Sequence, residues 1–138
     1  MSSQLAHLWQ AGRNERLAKQ LLSELVYKEW VVTVAFYSGL HYVEAALNQV
    51  SGIGHSETSM PRNYPGGLHS YREDLVFQHF SSAWAPYRKL RAQSMVARYL
   101  STTQRSFLQK PAEDYFSERD VRNFVDRDLD KVRRKLGF

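Results

Sequence analysis

Trp30-Val31-Val32-Thr33-Val34-Ala35-Phe36-Tyr37-Ser38-Gly39-Leu40-His41-Tyr42-Val43-Glu44-Ala45-Ala46-Leu47 decides the fold, because almost none of its sides is polar. At helical spacing, Val32, Phe36, Val43, Leu47 and Val50 share one face. Val31, Val34, Ala35, Leu40, Ala45 and Ala46 make most of the remaining surface apolar. A helix that is apolar nearly all round has to be enclosed by others. The pattern therefore predicts a central helix over about residues 28–51, ended by Gly52. Ser38, Gly39, Ala45 and Ala46 are small, so neighbouring backbones are expected to approach closely there.

Upstream, Leu5, Leu8, Trp9, Leu17, Leu21 and Leu25 recur at helical spacing and predict a first helix with that stripe facing inward. Downstream, Gly52, Gly54, Pro61, Pro65, Gly66 and Gly67 break both helix and strand, so residues 52–67 read as a loop. Two helices are expected next, over about residues 68–80 and 83–100. Ser81 or Ser82 would cap the second, with Pro86 in its first turn. The last helix has a clear start at Ser117-Glu118-Arg119-Asp120, with a hydroxyl at the cap and acids in the first turn. Its inward face is Val121, Phe124, Val125, Leu129, Val132 and Leu136, and Gly137 stops it. No segment alternates with period two. The expected fold is all-α, an antiparallel up-and-down helical bundle of about five helices in one domain spanning residues 1–138.

Hydrophobic residues make up 43% of the chain, enough for a real core. No apolar run approaches the roughly 18 to 20 residues of a membrane span, so no membrane partner is expected. Met1-Ser2-Ser3-Gln4 shows no basic stretch leading into an apolar one, which sets the expectation of no secretion signal. The absence of cysteine removes disulfides, thiolate metal sites and cysteine nucleophiles, and fits a cytoplasmic setting. The net charge of +5 favours anionic partners. Thirteen of the 19 cations are Arg, whose fork holds phosphate through two parallel hydrogen bonds.

Three segments carry a resemblance. Residues 30–47 give an aromatic pair, a small residue and then His41, followed by an Ala-rich turn. Leu68-His69-Ser70-Tyr71-Arg72 gives a His-x-x-Arg opening to the next helix. Leu90-Arg91-Ala92-Gln93-Ser94-Met95-Val96-Ala97-Arg98-Tyr99 gives a Leu-Arg run ending in an aromatic. In this order they resemble the HEPN (higher eukaryotes and prokaryotes nucleotide-binding) domain family. The resemblance implies a helical bundle, often a homodimer, tied to RNA metabolism or to toxin and defence systems. Many such proteins are metal-independent ribonucleases using an Arg, four to six intervening residues and a His. Others lack that motif and bind nucleotides or accompany a nucleotidyltransferase. In this chain the window after Arg91 ends on Val96, Ala97 and Arg98, with no His. The resemblance thus implies an accessory or non-catalytic member that binds RNA or a nucleotide phosphate, with docking to a nucleotidyltransferase as an alternative.

A second alternative is metal-independent cleavage of RNA, which needs a base near the 2′-hydroxyl and a cation for the phosphorane charge. Arg62 with His69, and Arg72 with His79, each have six residues between them. Arg72 and His79 would stand about 10 Å apart on one helix. His41 reads as a hydrogen-bonded core or dimer-contact residue, and His7 stands alone in the sequence. His55, His69 and nearby acids show no tight ligand spacing, so no metal site and no cofactor is expected. From Leu75 to Ala112 there is no Asp or Glu, while Arg88, Lys89, Arg91, Arg98, Arg105 and Lys110 alternate with Phe77, Phe80, Trp84, Tyr87, Tyr99 and Phe107. Cations beside stackable rings suit single-stranded RNA. Spacings of three and seven place Arg88, Arg91 and Arg98 toward one helix face. Arg72, Arg88, Arg91 and Arg98 are therefore the candidate phosphate ligands. The competing expectation is that these cations are neutralised by Asp126, Asp128 and Asp130.

Overall fold

A computed structural model describes residues 3–102 and 106–138. Arg105, one of the expected cations, lies outside them. The chain forms α1 (Ser3–Glu24), α2 (Lys28–Leu47), a single-turn α3 (Ser56–Ser59), α4 (Gly67–His79) and α5 (Ser81–Tyr99). A 3₁₀ turn (Ala112–Tyr115) leads into a last rod made of α6 (Glu118–Asn123), a π-helical stretch (Phe124–Leu129) and α7 (Asp130–Lys135). Among the described residues there is no strand, only an isolated bridge between Ser101 and Phe107. The fold is an all-α helical bundle.

The central position of α2 follows from its composition. Fourteen of its 20 residues are buried, and α1, α5 and the last rod pack around it. The small residues do what small residues allow. Ser38 Oγ donates to the carbonyl of Ala11 at 2.8 Å. A Cβ on Gly39 would stand 2.6 Å from Cδ1 of Leu90, so α5 can lie this close only because the side chain is absent. The inward face of the last rod, from Val121 to Leu136, is buried as its spacing requires. Ser117 and Asp120 form a reciprocal capping box at its start. Gly137, at φ +96°, ends it.

Three expectations need correction. On α1 the buried residues are Ala11, Ala18 and Leu22, and Leu8, Leu21 and Leu25 of the expected stripe pack against the core, but Leu5, Trp9 and Leu17 are exposed. The alanines win because they let the α1 backbone sit directly on α2, which larger side chains would hold off. Residues 52–67 are not wholly loop, since His55 caps the turn of α3 by accepting from Glu57 N–H. Finally, α5 begins at Ser81 after Phe80, with no side-chain cap, and Pro86 falls in its second turn.

Candidate functional site

The N-terminal half of α2 and the C-terminal end of α5 face each other across a cleft of about 370 Å³ lined by Glu29, Trp30, Tyr37, Arg98 and Tyr99. Arg98 organises it. Its guanidinium carbon lies 4.8 Å from the Tyr99 ring centre, 5.0 Å from Phe36 and 5.5 Å from Tyr37. One guanidinium nitrogen donates to Tyr37 Oη at 3.0 Å, and the other two donate to the carbonyl and hydroxyl of Ser94. Among the described residues no carboxylate pairs with it. Trp30 and Tyr99 present large exposed ring surfaces at the rim. One carboxylate oxygen of Glu29 is shielded from solvent and accepts no hydrogen bond from the described residues.

The other candidate phosphate ligands are differently placed. Arg88 is exposed and lies over Trp84 at 5.2 Å. Arg91 pairs with Glu73 at 3.1 Å, with both side chains mostly enclosed. Arg72 is buried and pairs with Glu44. Among the described residues, neutralisation by the last rod is limited to Lys89, which meets Asp128 at 2.8 Å, while Asp130 is engaged by Arg133 and Arg134 of its own helix.

The ribonuclease pairs fall apart similarly. Arg62 is exposed on the loop before α4, and among the described residues no hydrogen bond or ion pair joins it to His69. His79 is exposed at the end of α4, whereas Arg72 is turned into the core. His69 instead lies against Phe36, its ring centre 5.9 Å away, with Nδ1 buried and given no hydrogen bond by the described residues. Burial pushes its pKa down to about 4, helped by the positive charges of Arg72, Arg91 and Arg98. At neutral pH this imidazole is uncharged.

A second cluster gathers at the other half of α2. Glu44 is fully buried, accepting from Arg72 Nε at 2.6 Å, from the Ser56 amide at 3.2 Å and from the Ser56 hydroxyl. Burial alone would raise its pKa, but these hydrogen bonds outweigh burial and hold it below the usual range. His55 Nε2 approaches Oε2, the oxygen that also accepts the Ser56 amide, at 3.6 Å. His7 Nδ1 and His41 Nδ1 are 2.9 Å apart, and the His7 and His55 rings are 5.1 Å apart. Burial lowers the pKa of both His7 and His41. His7, isolated in the sequence, is thus a member of a constellation. Sequence spacing could not find it, because 34 residues separate it from His41 and 48 from His55.

No protein-family model matches the chain, and no curated protein or solved structure does.

Proposed function

We propose that this chain is a non-catalytic, HEPN-like module that binds single-stranded RNA or a nucleotide in the cleft between α2 and α5, acting as a homodimer. One observation carries the reading. Arg98 is a cation without a carboxylate partner among the described residues, held by three aromatic rings at the mouth of a cleft. Stacking of a base on an exposed ring is worth about 1–3 kcal/mol and tolerates any base. Trp30 and Tyr99 offer such rings, and Arg98 stands beside them for the phosphate. Arg88 adds an exposed cation on the same helix, while Arg72 and Arg91 stay in ion pairs behind the surface.

The test is one labelled RNA pool, in EDTA, followed by anisotropy and by gel. Binding should weaken steeply with salt and should fall in Arg98→Ala and Trp30→Ala. Metal-free cleavage lost in His69→Ala would replace binding with the ribonuclease alternative. Indifference to RNA and nucleotides alike would leave a docking module, for a nucleotidyltransferase among other partners. Light scattering reads the dimer directly.

A further inference from the structure

We infer that His7, Glu44 and His55 form a binding site for a divalent cation of the zinc class, separate from the α2–α5 cleft. One ligand atom from each residue lies within 4.8 Å of the other two, against about 3.4 Å between ligands of a tetrahedral zinc ion, so the side chains have to draw in by about 1 Å on binding. The three come from α1, α2 and the cap of α3, so the bundle brings them together, not a local repeat. Glu44 Oε1 is held by Arg72 Nε and the Ser56 hydroxyl, while Oε2 accepts the Ser56 amide at 3.2 Å and faces His55 with its remaining lone pair. His41 fixes the His7 ring through the 2.9 Å nitrogen contact, the kind of outer partner that a ligating imidazole uses.

The donor set selects the ion. Two imidazoles with one carboxylate suit Zn²⁺, Ni²⁺ or Co²⁺, whereas Mg²⁺ and Ca²⁺ prefer oxygen ligands. Arg72 already neutralises Glu44, so the imidazoles supply most of the selectivity. The His55 side chain retains 28% of its exposure and gives the ion a way in. Its Nδ1 accepts from Glu57 N–H at 3.2 Å, so the neutral ring carries its proton on Nε2, toward Glu44. Ligation through Nε2 moves the ring proton to Nδ1 and releases the cap of α3. Metal binding is thereby coupled to the loop between α2 and α4.

Tag-free full-length protein, stripped with EDTA and dialysed, should bind one Zn²⁺ per chain by calorimetry and show no comparable heat with Mg²⁺. His7→Gln and His55→Gln should each weaken Zn²⁺ binding by roughly tenfold or more. His79→Gln, at an exposed remote imidazole, should leave it unchanged. With Co²⁺ on the unsubstituted chain, paramagnetic NMR shifts should centre on His7, Glu44 and His55, so the test does not depend on the variants folding. Absence of stoichiometric binding, or shifts centred elsewhere, overturns the site. Loss of RNA binding in the Arg98 variant bears on the cleft alone and leaves this result untouched.

Discussion

Arg72 Nε donates to Glu44 Oε1 at 2.6 Å across 28 residues of sequence, with both side chains closed off from solvent. This contact ties α4 to the central helix. It also converts the one acid in the apolar stretch of α2 from a liability into an anchor, because Ser56 satisfies the same carboxylate from the start of α3.

Breaking one half of that pair leaves a charge buried alone. Arg72→Met is therefore expected to cost about 3–5 kcal/mol of stability. The double variant Arg72→Met with Glu44→Gln should lose much less than the sum of the two singles, since no ion is then stranded. Urea unfolding midpoints of the four proteins decide it, and strict additivity would refute the coupling.

His69 predicts how stability depends on pH. Its folded pKa of about 4 lies below the ordinary 6.5, so the unfolded chain takes up a proton that the folded chain refuses. Its contribution is intact above pH 6.5 and is lost as pH falls toward about 4. Denaturant midpoints at pH 7 and about pH 5 should differ less in His69→Asn than in the parent chain. Equal differences in the two proteins would place the slope elsewhere.

Gly39 is a packing requirement. A Cβ there meets Leu90 Cδ1 at 2.6 Å, and Leu90 is fully buried, so α5 or the Leu90 rotamer has to shift. Gly39→Ala should cost about 1–3 kcal/mol, even though Ala is the better helix former. Pairing it with Leu90→Ala should recover part of the loss, read as a thermal-melt midpoint above that expected from adding the two effects.

The features that local physics controls were legible in the sequence. The apolar surround of Val31, Phe36 and Leu47 gave the buried central helix, and Ser117 with Asp120 gave the cap of the last rod. Where three-dimensional packing chose between local options, legibility failed. The leucine stripe of α1 outscored Ala11 and Ala18 on hydrophobicity, yet close helix approach favoured the alanines. The candidate site was legible only in part. Arg98 beside aromatic rings could be read from its neighbours, but Glu73 as the partner of Arg91 and the meeting of His7 with His55 depend on tertiary contacts.

Arg91 and Arg98 separate the structural use of a cation from its use toward a ligand. Seven residues apart on α5, they have opposite surroundings. Arg91 faces Glu73 in a pair whose side chains each retain 15% exposure, while Arg98 faces rings and an open cleft. Arg91→Gln should strand the enclosed Glu73 carboxylate and lower stability by about 1–3 kcal/mol, with RNA affinity at low salt nearly unchanged. Arg98→Gln should do the reverse, keeping the unfolding midpoint close to the parent value while weakening RNA binding and flattening its dependence on salt. Measured side by side, an affinity loss in Arg91→Gln as large as that in Arg98→Gln would move the phosphate contact away from the cleft and toward α4.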